Sequence, residues 1–247
     1  MRICTSLAST AALSYADICR RLTSPLSEPL FGRLSLDYIQ LVPQSRERLT
    51  PDVIELLRSA FPNTRFRMHA NVRVWGEFTH VDLVDFDRHN AWFRDAAALH
   101  RLLGADAFTL HPGRRASASL SALFDCARRC ADLFGSPVGI EGMYPTRGAP
   151  YLISTWPEYE ALFESGVPYA LDLSHLNIVA HLSGRYDLDL VQAMLSSDRC
   201  IEIHVSDNDG LSDQHRICSA PPWWWRVLTS VHPNAVVFSE GNHRSLH

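Results

Sequence analysis

Residues 169–175 read YALDLSH and residues 201–207 read IEIHVSD. Each begins as a short apolar run and ends in groups that ligate metals, Asp172 and His175 in the first and His204 in the second. Continuous apolar character, rather than strict alternation, marks a parallel strand covered by helices. Working outward, six more runs of this kind appear, at 3–7, 36–42, 65–70, 107–111, 138–141 and 235–239. With 169–173 and 201–205 they make eight, the number of strands in a closed (β/α)8 barrel, which typically needs about 250 residues. The chain has 247 residues and a 46% hydrophobic composition, enough to bury one such core.

The intervening stretches carry helix punctuation. Thr50 followed by Pro51 predicts an N-cap with proline at the first helical position, leading into Val53, Ile54, Leu56 and Leu57. Thr155 opens another helix, with Pro157 in its first turn and Gly166 as its stop. Gly104 and Gly135 close two more, the first carrying Trp92, Phe93, Leu99 and Leu102 at helical spacing. Eight β-to-α units without a linker or low-complexity segment predict a single α/β domain over 1–247, a TIM barrel. A doubly wound open sheet fits less well, because no Gly-rich phosphate fingerprint follows the first strand.

Composition narrows the function. A net charge of −4 gives no global attraction to nucleic acid or to an anionic membrane. No run approaches the roughly 18 apolar residues of a membrane span. Residues 2–16 read as a first strand and helix rather than a secretory leader, because Thr5, Ser6, Ser9, Thr10 and Ser14 interrupt them. Six cysteines lack any CxxC pair, and Cys126 and Cys130, four apart, read as helix packing. A reducing cytoplasm is the expected home.

The chemistry lies where the strands end. His69 ends the third (RFRMHA), His111 the fourth (AFTLHPG) and Glu141 the fifth (VGIEG). Asp172 and His175 end the sixth and His204 the seventh, with Asp213 and His215 in the loop that follows; Glu240 ends the eighth (VVFSEG). Singly, a histidine at a strand end is a satisfied polar residue and an aspartate a helix cap. In a parallel barrel, however, all these ends converge on the face that holds active sites. Six consecutive strands would crowd partly buried charge there, a cost that metal ions remove. Imidazole and carboxylate suit zinc, manganese or iron. Of the other histidines, His80, His89, His100, His181 and His232 read as surface or packing residues, and His243 and Arg244 as neighbours of Glu240. Arg114, Arg115, Tyr144 and Arg147 follow strand ends and are candidates to hold an anionic substrate. Trp223, Trp224 and Trp225 read as helix core, one ring reaching the pocket mouth.

The pattern resembles the xylose isomerase-like barrels that include endonuclease IV. The resemblance covers nearly the whole chain and rests on LHPG at 110–113, LDLSHLNIVAHLSGRYD at 171–187 and HVSDNDGLSDQH at 204–215. It implies three zinc ions. His69, His111 and Glu141 would hold one; Glu141 would bridge to a second, completed by Asp172, His204 and Glu240. His175, Asp213 and His215 would hold the third. The nuclease's aromatic–leucine wedge has no counterpart, since Asn71, Val72 and Arg73 stand in its place, and LDLSH lacks the usual Thr-Cys. HVSDNDGLSDQH instead looks like the sugar-phosphate isomerase and epimerase branch, although RICSAPPWWW replaces the Pro-Gly-x-Gly that follows there.

The expected activity is hydrolase-type chemistry on a small phosphoester, with two or three divalent ions, zinc foremost, and with Glu141, Glu240 and His204 as catalytic groups. Isomerisation or epimerisation of a sugar on one metal, with Glu141 and Glu240 exchanging protons with carbon, is the alternative. Iron-dependent oxidation of a small molecule or peptide, and a barrel that only binds a partner, are further readings. The expected substrate is small and phosphorylated or polyhydroxylated; duplex DNA and membranes are not expected partners. Arg114, Tyr144, Arg147 and Arg244 are the expected substrate contacts.

Overall fold

Eight parallel strands close on themselves in the computed structural model, which describes residues 2–10, 13–42, 47–70, 72–148 and 150–243. The barrel strands are β1 (Ile3–Ser6), β4 (Ser35–Leu41), β5 (Arg65–His69), β6 (Phe108–Leu110), β7 (Val138–Glu141), β8 (Tyr169–Asp172), β9 (Cys200–Val205) and β10 (Val236–Ser239). Each pairs with its neighbour in sequence, and β1 closes the ring against β10. An antiparallel hairpin of β2 (Ser27–Glu28) and β3 (Gly32–Arg33) precedes β4; nothing in the sequence reading anticipated it. All eight expected strands are present, with ends that move by a residue or so.

Helices α1 (Tyr15–Arg21), α2 (Pro51–Ala60), α3 (Asn90–Leu103), α4 (Leu120–Phe134) and α5 (Trp156–Glu164) each follow a barrel strand. The Thr50 side chain accepts from the Val53 amide, as the Thr-Pro pair implied. Gly104 and Gly135 end α3 and α4 in the left-handed region, at φ 71° and 68°. Cys126 and Cys130 are buried on the inner face of α4.

The expectation of eight regular β-to-α units needs correction. β8 is followed by two helices, α6 (Leu173–Ser183) and α7 (Leu188–Ser196), and β9 only by a 3₁₀ turn, Trp225–Ser230. Residues 206–224, between β9 and that turn, form a loop bridged at Asp207 and Arg216, and Pro221 and Pro222 keep a helix from starting earlier. The tryptophan run divides accordingly. Trp224 is buried, and Trp223 donates from Nε1 to Asn177 Oδ1 at 2.9 Å. Trp225 lines a cavity of 1180 Å³ with Arg2, Asp37, Arg65 and Asp106, at the strand starts, so it walls the end opposite the candidate ligands. No described helix is long and apolar enough to cross a membrane.

Register sets up the site. Asp172 on β8 stands beside His204 on β9, His204 beside Phe238 on β10, and His69 on β5 beside Thr109 on β6. The strand ends therefore bring imidazoles and carboxylates to one rim.

Candidate metal centre

The nine candidate ligands form one continuous cluster. Glu141 is its hub: Oε2 lies 3.3 Å from His69 Nε2 and 3.1 Å from His111 Nε2, and Oε1 lies 3.1 Å from His204 Nδ1. Asp172 Oδ2 is 3.6 Å from His175 Nε2 and 3.8 Å from His204 Nδ1. Glu240 Oε1 is 3.8 Å from His204 Nδ1, and its Oε2 is 3.5 Å from His215 Nδ1. Asp213 Oδ2 joins His175 Nε2, at 3.4 Å, to His215 Nε2, at 2.9 Å. Asp172 reconciles its two readings by using both oxygens. Oδ1 accepts from the Ser174 and His175 amides at 2.7 and 2.9 Å and caps α6, which leaves Oδ2 facing the cluster.

The donor set fits divalent cations. Three trios have ligand atoms within 4.8 Å of one another: His69, Glu141 and His204; Glu141, Asp172 and His175; and Asp172, His204 and Glu240. Glu141 Oε2, Asp213 Oδ1 and His215 Nδ1 are buried without a hydrogen bond among the described residues. Buried polar atoms of this kind cost free energy unless they find a partner, and imidazole nitrogen and carboxylate oxygen are what zinc, manganese or iron take.

The electrostatics are those of packed opposite charge. Burial works to raise the Glu141 carboxyl, yet His69 and His111 hold it well below the usual range. Burial pulls His69 down to about 4. Burial also opposes charge on His175 and His215, but Asp172 and Asp213 push the first up to about 10, and Asp213 with Glu240 push the second to about 9. Glu240 is raised to about 7 by burial, which its histidine neighbours only partly offset.

Comparison with solved structures bears on the fold. The chain superposes on a D-tagatose 3-epimerase-like protein with a TM-score of 0.67 at 18% identity, over 98% of this chain and 91% of that one. A family 2 AP endonuclease from Brucella melitensis gives the same TM-score at 15% identity, covering 99% and 94%. The IOLI protein, solved with a bound zinc atom, gives 0.62 at 14% identity, covering 97% and 88%. The fold is that of the xylose isomerase-like barrels. No family model matches the sequence, and no curated protein matches it.

Within this barrel, the imidazoles are held from behind. His69 Nδ1 lies 2.7 Å from Thr109 Oγ1, His175 Nδ1 lies 2.8 Å from the Gly142 carbonyl, and His204 Nε2 lies 2.8 Å from Glu202 Oε1. In each ring this fixes which nitrogen faces the carboxylates. Gly142 is required by close approach: a Cβ there would fall 2.5 Å from the Tyr159 hydroxyl, which donates to the Met143 carbonyl.

His80, read from sequence as surface or packing, belongs to the site's rim. Its Nε2 is 3.2 Å from Asp82 Oδ1, which is 3.9 Å from His111 Nδ1, and the three form a further group of ligand-type atoms. Asp82 sits on a strap that hydrogen-bonds to the His111 and Pro112 carbonyls through the Leu83 and Val84 amides. Gly113, at φ 105°, lets that strap approach, since a Cβ would collide with Val84.

The expected substrate contacts divide. The Arg114 guanidinium lies 3.6 Å over the Tyr151 ring and donates to Thr146 Oγ1 at 3.3 Å. Tyr144 packs at 4.8 Å against the His175 ring, and Arg147 is exposed on the same loop. Arg115 turns away to Glu158, at 2.6 Å. Arg244 lies outside the described residues, as does Asn71. His243 does not support Glu240; it is buried against Glu28 at 2.9 Å.

Proposed function

We propose that the chain is a divalent-metal-dependent enzyme that hydrolyses a small phosphoester. The observation that carries this reading is that nine ligand-type residues form one cluster, including the His175–Asp213–His215 set that a one-metal enzyme does not need. His69, His111 and Glu141 would hold one ion, Glu141, Asp172, His204 and Glu240 a second, and His175, Asp213 and His215 a third. Such ions supply Lewis acidity toward a phosphoryl oxygen and lower the pKa of water at neutral pH. The protein's part is to fix the ligands on rigid strand ends, to exclude bulk water, and to orient the substrate through Arg114 and Tyr144 at the rim. A small substrate is favoured over duplex DNA because Val72, one of the three residues standing where a wedge would project, is buried in the core.

The second reading is epimerisation of a sugar or keto-polyol on the ion held by Glu141, Asp172, His204 and Glu240. It is favoured by the likeness to a D-tagatose 3-epimerase-like protein and to solved structures of a D-psicose 3-epimerase and an L-ribulose 3-epimerase. Here Glu141 and Glu240 would take and return the proton at carbon. Elemental analysis of protein purified without added metal, with phosphate release and solvent deuterium uptake measured on panels of small esters and ketoses, separates the two. Two or three ions and phosphate release support the hydrolase. One ion with deuterium uptake replaces it by the epimerase.

A further inference from the structure

TIM-barrel interiors are ordinarily filled by layers of bulky branched side chains. Beneath the candidate ligands, this barrel instead carries a layer of Gln40, Arg67, Thr109 and Glu202, all buried. At its centre, Glu202 Oε1 accepts from Gln40 Nε2 at 2.7 Å, from Thr109 Oγ1 at 2.9 Å and from His204 Nε2 at 2.8 Å. Thr109 uses its hydroxyl in both directions: it gives its proton to Glu202 and receives one from His69 Nδ1 at 2.7 Å. Arg67 approaches the other carboxylate oxygen at 3.5 Å and is itself anchored to Asp106 at 2.9 Å and to the Ile201 carbonyl.

We propose that Glu202 is a positioning residue that sets His204 directly and His69 through Thr109, and so ties together the two ion positions that share Glu141. The inference rests on the metal-centre reading above. Three observations carry it. Glu202 and His204 lie two apart on β9 and so point to the same side of the strand, into the barrel. The His204 nitrogen that Glu202 holds is the one turned away from Glu141, Asp172 and Glu240, which leaves Nδ1 as the nitrogen free to ligate. A buried ion pair such as Arg67–Glu202 is weak evidence for stability, since apolar residues of like volume often serve as well or better. The orientation of the imidazoles is what an apolar layer would not supply. Carboxylate–histidine–metal triads work in this way, and losing the outer carboxylate typically weakens metal binding about 10- to 100-fold.

The test is a zinc titration of the metal-stripped full chain against a chromophoric chelator, paired with ¹H–¹⁵N spectra of the histidine rings. Glu202→Gln should weaken the first two equivalents together, about tenfold or more. It should also shift the His204 Nε2 proton from its hydrogen-bonded, slowly exchanging position. Thr109→Val should weaken one equivalent only and leave the His204 proton in place. In a His204→Ala background, Glu202→Gln should change the His204-dependent equivalent no further. Wild-type affinity for both equivalents in Glu202→Gln, or equal weakening of both by Thr109→Val, would overturn the proposal. If the wild type takes up no zinc, the metal-centre reading fails; an unmoved His204 proton in Glu202→Gln then overturns the positioning role independently. Should Glu202→Gln fail to fold, Thr109→Val decides through its effect on one equivalent or both.

Discussion

Glu141 and His204 meet at 3.1 Å, Oε1 to Nδ1, although 63 residues separate them along the chain. The other oxygen of Glu141 turns the opposite way, to His69 and His111. In the proposed multinuclear centre, a carboxylate so placed would serve two ion positions at once. Glu141→Gln should therefore cost more than one equivalent of bound metal, measured by elemental analysis, while His111→Ala should cost at most one. One metal per chain, unchanged by Ala at His69 or His111, would contradict the multinuclear centre.

Metal affinity should rise with pH. Without metal, His175 and His215 keep their protons up to about 10 and 9, against 6.5 for a free imidazole. Ligation must displace both, and a third proton from His204, which Glu240, Asp172 and Glu141 hold charged well above the ordinary imidazole value despite its burial, so between pH 7 and 9 the logarithm of affinity should climb by up to about three per pH unit. Glu240 adds a further proton below about 7. His69, already neutral, adds none in this range. The same two imidazolium groups stabilise the metal-free fold fully below pH 6.5, and that contribution is lost as pH rises through 9 to 10. Thermal unfolding of stripped protein across pH 6–10 should therefore show a falling Tm. A flat affinity profile with a flat Tm would show that these rings are not charged in the folded chain.

Asp213 and His215 discriminate the two chemistries. Replacing both by Ala should remove one ion and lower phosphate release by several orders of magnitude if a third ion acts at the leaving group. In a one-metal epimerase the same change mainly weakens substrate binding and leaves proton exchange at carbon largely intact. Deuterium uptake that survives the double replacement, yet vanishes in Glu141→Gln and in Glu240→Gln, would establish the epimerase.

Gly142→Ala should both destabilise the chain and loosen the site. The new methyl meets the Tyr159 ring, and overpacking of this kind costs about 1–3 kcal/mol, a fall of several degrees in Tm for a domain of this size. Because His175 Nδ1 hydrogen-bonds to the Gly142 carbonyl, affinity at the His175 position should fall too. Calorimetry alongside zinc titration checks both, and a stable variant with full affinity would mean that the turn yields freely.

The barrel was legible because buried parallel strands leave continuous apolar runs, and the cluster of candidate ligands because strand ends converge on one rim. The loop after β9 was less so: its helix shrinks to a 3₁₀ turn that no periodicity announces. Asp82 and His80 stayed hidden because a strap docks them from thirty residues upstream of His111, and spacing carries no trace of such a contact. Glu202 was readable in principle. It shares the parity of His204 in IEIHV, but a lone acidic residue within a strand is as easily taken for a solvent-facing position.

The four carboxylates of the centre, on Glu141, Asp172, Asp213 and Glu240, carry a formal charge of −4 when ionised around neutral imidazoles. Two divalent cations bring that sum to zero (−4 + 4), and three leave it at +2 (−4 + 6). The number of ions held would thus set what the nine candidate ligands contribute to the field at the mouth, beside the Asp82 carboxylate and the Arg114 guanidinium at the rim. A doubly occupied pocket is electroneutral and draws an uncharged polyol no more than any other solute, whereas a triply occupied one pulls phosphate monoesters in from solution and speeds their encounter, an advantage that fades as ionic strength rises.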